Sequence, residues 1–220
     1  MATVALATQV PKNNNNGNSH RIATSMILRD SSKLMKLKKE YESKHNFSLT
    51  SFVSHPLSYL PILSTLISRF GDLSGKHVLE IGSGAGEFLY VLNSCGAITL
   101  GIDWTGALGN FSKQIGVKTL TDDVFSLIGS PYKFDAVISK GFLTPTILDP
   151  EFDDKFEINL EKFLKLTYNW TSDGGVGIHL YPTAREISNQ LCASAGYSSS
   201  LTRQIYYKNN PYKTILLLEK

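Results

Sequence analysis

Cysteine is scarce: two residues in 220, Cys95 and Cys192, sit in different predicted helices with no zinc-ligand spacing, which excludes a disulfide scaffold and gives no metal site. Two reduced thiols suit a reducing compartment, and the expected location is cytoplasmic. Long apolar runs are also missing. None reaches the roughly 18 to 20 residues of a membrane span, so no integral membrane association is expected. Neither charge sign dominates: 22 Lys and Arg face 19 Asp and Glu, so composition alone gives no reason to expect nucleic acid as a partner. Acids are absent before Asp30, and that first stretch contains a four-Asn tract at 13–16. Such a segment buries too little surface to offset ordering, so residues 1–24 are expected to be a disordered tail. Import into an organelle is the minor alternative for this hydroxyl-rich start, since its arginines are few.

What is present is 42% hydrophobic and 19% charged, enough for one well-buried core. Leu34, Met35, Leu37 and Tyr41, surrounded by lysines, predict an amphipathic helix over 31–45. It is expected to pack on the body, with peripheral contact to a lipid surface as the alternative. Leu60, Leu63, Ile67 and Phe70 predict a second helix, with Pro61 in its first turn and Gly71 as its stop. Residues 25–72 thus read as an N-terminal helical cap, and 73–220 as the main domain.

From residue 75 onward, strand-like and helix-like segments alternate, the mark of a doubly wound, mostly parallel sheet with helices on both faces. Strands are predicted at 77–81, 98–102, 118–121, 134–139 and 176–180. The intervening helices fall at 86–95, 106–115 and 154–170, with a short helical turn at 124–128. A sixth helix starts at the capping box Thr183-x-x-Glu186 and stops at Gly196. The last two strands, 201–207 and 213–218, are joined by Lys208-Asn209-Asn210-Pro211. That link is too short for a parallel crossover, so the seven-stranded sheet must close in an antiparallel hairpin.

The first strand runs into Glu80-Ile81-Gly82-Ser83-Gly84-Ala85-Gly86-Glu87. Glycines at a strand-to-helix turn offer free N–H groups and let a ligand approach closely. No Lys follows them, which excludes a triphosphate-binding P-loop, and Glu87 stands where a dinucleotide fingerprint has its third glycine and would face a pyrophosphate. An acid two residues before Gly-x-Gly-x-Gly resembles motif I of the class I S-adenosylmethionine-dependent methyltransferases. The resemblance continues with Asp103 at the end of strand two, Asp123 after strand three, FDAVIS at strand four and SDGGVGIHLYP at strand five, covering about residues 55 to 220. It implies a Rossmann-like fold, S-adenosyl-L-methionine as cofactor and methyl transfer as the activity. The cofactor residues it implies are Glu80, Gly82, Ser83, Gly84 and Gly86 in the loop, Asp103 for the ribose hydroxyls, Trp104 and Val124 around the adenine, Asp123 for its amino group with the adjacent Asp122 as the alternative, and Ser139.

Methyl transfer requires orientation and, for a hydroxyl or ammonium acceptor, a base. Candidates past the ends of strands four and five are Ser139, Lys140, Phe142, His179 and Tyr181, with His179, Lys140 and Tyr181 carried as catalytic. Ser139-Lys140-Gly141-Phe142 lacks the Asn-Pro-Pro-Tyr of planar-amine enzymes. The expected acceptor is a small, partly apolar metabolite, with a protein lysine as the alternative and nucleic acid excluded. Other classes kept open are an NAD-dependent oxidoreductase and a cofactor-binding module without catalysis.

Overall fold

A computed structural model describes residues 16–46, 48–49, 56–105, 108–127, 131–142, 156–181, 187–204 and 214–220. The chain begins with a long helix, α1 (Asn16–His45), followed by a 3-10 turn (Pro56–Tyr59) and α2 (Leu60–Phe70). There follow β1 (His77–Ile81), α3 (Glu87–Ser94), β2 (Ile98–Asp103), α4 (Gly109–Gln114) and β3 (Thr119–Thr121). After a second 3-10 turn (Val124–Leu127) come β4 (Phe134–Lys140), α5 (Phe156–Trp170), β5 (Thr171–Tyr181), α6 (Asn189–Ser194), β6 (Ser199–Gln204) and β7 (Thr214–Glu219).

The expected disorder up to residue 24 is corrected for residues 16–24, which form the first turns of α1; residues 1–15 lie outside the described residues. The reason is tertiary. Ser19, Ala23, Ile27, Asp30, Ser31, Leu34 and Tyr41 recur at helical spacing and are buried, so packing supplies what local composition does not. Asp30 is 1% exposed and takes both Arg29 Nε (2.8 Å) and Nη2 (2.7 Å), together with the Ser94 hydroxyl at the end of α3. Burial opposes ionisation of Asp30, but these hydrogen bonds prevail and hold its carboxyl below the ordinary value. Farther along, Tyr41 meets Phe111 of α4 edge-on at 5.3 Å. The lysine-rich helix is therefore docked along its length.

The sheet has the order β3-β2-β1-β4-β5-β7-β6. β1 to β5 pair in parallel, while β7 runs antiparallel to both β5 and β6, as the short final link requires. Alternation along β1 sends Val78 into the core beneath α1, α2 and α3, and Leu79 and Ile81 into the core beneath α5 and α6. Glu80 shares the face of Val78. Two boundaries move. The sixth helix begins at Asn189 because Ser188, in extended conformation, accepts the Leu191 N–H at 3.2 Å; Thr183 and Glu186 lie outside the described residues. β5 begins at Thr171, directly after α5, with Gly174 left-handed (φ 75°) where a free turn was expected. Among the described residues no helix is long and apolar enough to cross a membrane.

Candidate functional site

β1, β2 and β4 end side by side, so Glu80–Ile81, Asp103 and Ser139–Lys140 form one rim of the sheet. Gly82, Gly84 and Gly86 all take left-handed φ values (70°, 54° and 81°), which explains three glycines in one turn. Their N–H groups are not offered outward, contrary to the sequence expectation. Gly82 and Ser83 donate to the Ile102 carbonyl (2.8 and 3.2 Å), Gly84 to Asp103 Oδ2 (2.8 Å) and Gly86 to the Ser83 carbonyl (2.9 Å). This is no phosphate cradle. Close approach at Gly86 serves internal packing, since a Cβ there would lie 3.0 Å from Val117 and 3.4 Å from Ser112. Gly82 lies beneath Phe142, whose ring also stacks on Phe163 with centroids 5.2 Å apart.

Glu80 is fully buried, and neither carboxylate oxygen has a hydrogen-bond partner. Its ionisation is opposed first by burial and then by the carboxylates of Glu87 and Asp103, against the help of the Lys140 ammonium. The carboxyl therefore titrates well above its ordinary value. Lys140 is pushed down to about 8 by burial, with Glu80 and Glu87 opposing the shift. Its Nζ donates to Ser58 Oγ at 3.1 Å and stands 3.6 Å from the Tyr59 ring centroid. Tyr59 in turn stacks on Phe88, in the first turn of α3, at 4.2 Å. The Pro56–Tyr59 turn thus joins the glycine-loop helix to the end of β4. Ser58 was missed in the sequence, where nothing but a helix-like apolar spacing marks the segment.

Asp103 accepts Gly84 N–H on one oxygen and Thr105 N–H (2.8 Å) on the other, which fixes its carboxylate while leaving acceptor capacity on both. Asp122 and Asp123 both serve the following 3-10 turn. Asp122 accepts Asp123 N–H and Ser126 Oγ, while Asp123 accepts Phe125 N–H. Val124 is buried, whereas Trp104 is 79% exposed beside the end of β2. Ser83 is buried and its hydroxyl lacks a partner; it lies over Gly101, where a Cβ would come within 2.4 Å of Oγ.

The three catalytic candidates do not converge. Lys140 faces the N-terminal helices, while His179 and Tyr181 lie buried toward α5. Ser139 Oγ is engaged by His179 Nδ1 at 2.9 Å rather than turned to the glycine loop. His179 is fully buried, its Nε2 lacks a partner and lies 3.2 Å from where a Cβ on Gly177 would be, and burial pushes its imidazole down to about 3. Such a ring stays neutral at physiological pH and is a poor proton acceptor. Among the described residues no group of three or more His, Cys, Asp or Glu side chains is placed to hold a metal ion.

No protein-family model and no curated protein matches the sequence. Solved structures do. A TehB-like SAM-dependent methyltransferase from Corynebacterium glutamicum superposes with a TM-score of 0.54 at 13% identity, over 86% of this chain and 97% of its own. A SAM dependent methyltransferase from Archaeoglobus fulgidus gives 0.56 at 14% identity, over 82% and 98%. The fold is that of the class I S-adenosylmethionine-dependent methyltransferases. The 16S rRNA N2 G1207 methyltransferase RsmC of Thermus thermophilus, solved with AdoMet and guanosine, shares this methyltransferase fold with a TM-score of 0.54. It is 21% identical, over 74% of this chain and 43% of its own. That finding corrects the exclusion of nucleic acid, because the same fold serves an rRNA methyltransferase. A near-balanced total charge says nothing of how charge is distributed over a surface.

Proposed function

We propose that this protein is an S-adenosylmethionine-dependent methyltransferase acting on an acceptor with an apolar part. The observation that carries this reading is Glu80: a buried carboxyl with no hydrogen-bond partner, beside a loop whose three glycine N–H groups are already used. A partnerless carboxyl suits a cationic ammonium, and a closed loop does not suit a pyrophosphate, so the residues fit this cofactor better than a dinucleotide. In this reading Glu80 holds the amino-acid ammonium, and Asp103, preset by Gly84 and Thr105, takes the ribose hydroxyls. Asp123, Val124 and Trp104 border the adenine. The cofactor, when bound, supplies an electrophilic methyl group. Lys140 steadies the ionised Glu80, and the rings of Tyr59 and Phe142 favour an apolar acceptor while excluding water. The buried, neutral His179 is given no proton-transfer role; with Ser139 it braces β4 against β5.

Titration calorimetry with S-adenosylmethionine, S-adenosylhomocysteine and NAD tests the cofactor. Binding of the first two with no heat from NAD is expected, and NAD binding alone would sink the proposal. Methyl-labelled cofactor added to cell extract then reports the acceptor class, according to whether label moves into small molecules, protein or RNA. Cofactor binding with no transfer in any fraction would favour a non-catalytic module.

A further inference from the structure

Basic residues are concentrated on α1. This helix holds seven Lys and Arg against three Asp and Glu, whereas the rest of the chain has one more acid than base. Two of its three acids are already committed. Asp30 is buried against Arg29 and Ser94, and Glu42 pairs with Lys38 (3.7 Å) and accepts Leu49 N–H (2.6 Å). Arg21, Lys33, Lys36, Lys39 and Lys44 are exposed, and among the described residues no carboxylate lies within ion-pair distance of them. Lys33, Lys36 and Lys39 follow one another at i, i+3, so like charges crowd the solvent side with only Glu40 to relieve them. The helix carries Lys33, Lys36, Lys39 and Lys44 within about 17 Å at 1.5 Å per residue, with Arg21 about 18 Å nearer its start. It climbs from the Ser94 end of α3 to the Tyr41–Phe111 contact, close to the glycine-loop rim.

We infer that the outer face of α1 binds the phosphate backbone of single-stranded RNA, an interaction that goes beyond the methyltransferase reading and rests on charge and placement alone. A membrane fits less well. The apolar stripe of α1 is spent on the protein core, and of its large apolar side chains Ile22, Leu28 and Met35 stay exposed, with only Leu28 and Met35, two turns apart, on one face, too few for the apolar face that lipid insertion needs. A helix docked along its length cannot enter the major groove of a duplex, whereas a flexible strand can follow it. Exposed hydroxyls of Ser25, Ser32 and Ser43 lie among the cations and suit the ribose 2′-hydroxyl that distinguishes RNA from DNA.

The test is fluorescence anisotropy of a labelled 20-nucleotide RNA of mixed sequence with the full chain, from 50 to 300 mM salt. Each neutralised phosphate of a single strand contributes about −0.7 to the log–log salt slope, so three to four contacts predict a slope of about −2 to −3. The K33Q/K36Q/K39Q variant should bind at least tenfold more weakly with a slope shallower by about 2, and R21Q/K44Q should show a smaller loss. The K162Q/K165Q variant, on α5 across the sheet, should bind like the wild type. Circular dichroism and a thermal melt on each variant report folding, and cofactor calorimetry is read separately, so a failed cofactor reading and a failed RNA surface are distinguishable. Absence of RNA binding at 50 mM salt, equal losses in the α1 and α5 variants, or equally tight binding of the matching DNA strand would overturn the inference. So would binding of phosphatidylserine vesicles in place of RNA.

Discussion

Replacing Glu80 by Gln makes an opposite prediction for stability and for binding, and the two together isolate the role of this carboxyl. In the ligand-free protein burial holds Glu80 well above its ordinary value of 4.5, so the folded state keeps a proton that the unfolded chain has released. Stability then falls as pH rises above 4.5, by about 1.4 kcal/mol per pH unit, until the native carboxyl itself titrates. His179 has the reverse sign. Its imidazole is pushed from 6.5 to about 3, so the unfolded chain binds the extra proton and stability rises with pH between those values. Above pH 4.5, for as long as both groups keep their native protonation, the two slopes oppose each other. Glutamine keeps the shape and neutrality of the protonated acid, so Glu80→Gln should expose the rising His179 slope and be more stable than the wild type at pH 7. It should also lose a charge-assisted bond to the cofactor ammonium, worth about 1.5–3 kcal/mol, or roughly 10- to 150-fold in affinity. Chemical denaturation from pH 4 to 8 reads the first effect, and calorimetry in buffers of different ionisation enthalpy reads the second. The wild type should release a proton on binding and the variant none. A variant less stable than the wild type at pH 7, with unchanged cofactor affinity and proton release, would refute this account of Glu80.

Asp103→Ala removes the acceptor of Gly84 and Thr105, and should cost about 1–2 kcal/mol of stability and at least 100-fold in cofactor affinity; an unchanged dissociation constant in calorimetry would remove the ribose site from this rim. Gly101→Ala would place a Cβ 2.4 Å from Ser83 Oγ and 2.7 Å from Leu89 Cδ1, so a thermal melt should show about 1–3 kcal/mol of destabilisation from overpacking. Asp30→Ala removes the carboxylate that accepts from both Arg29 and Ser94 and should destabilise by about 1–3 kcal/mol, with hydrogen exchange accelerating in α1 before the sheet. Lys140, titrating near 8, steadies the ionised Glu80, so cofactor affinity should weaken as pH rises through that value, and Lys140→Gln should flatten that limb of the profile.

Much of the fold was legible because it follows from local rules. Short apolar runs marked β1, β2 and β4, Gly71 ended a helix where left-handed φ was needed, and the short 208–211 link forced an antiparallel close. The residue types Glu80, Gly82, Gly84 and Gly86 likewise marked a strand end running into a tight turn, since their spacing is set by one turn of backbone. What they touch was not legible. Loop N–H groups pointed inward because the Ile102 carbonyl and Asp103 arrive from a strand some 20 residues on. His179 looked like a base only until α5 and β4 covered it. Residues 16–24 became helix through burial of Ser19 and Ala23, and the charged outer face of α1 acquired direction only once Asp30 met Ser94 and Tyr41 met Phe111. By itself the sequence determined which segments form strands and helices and which residue types end them, because those choices depend on neighbours within a few positions. The tertiary structure alone decided which carboxyl is buried without a partner and which lysines remain in water, because burial and charge are set by contacts between distant segments.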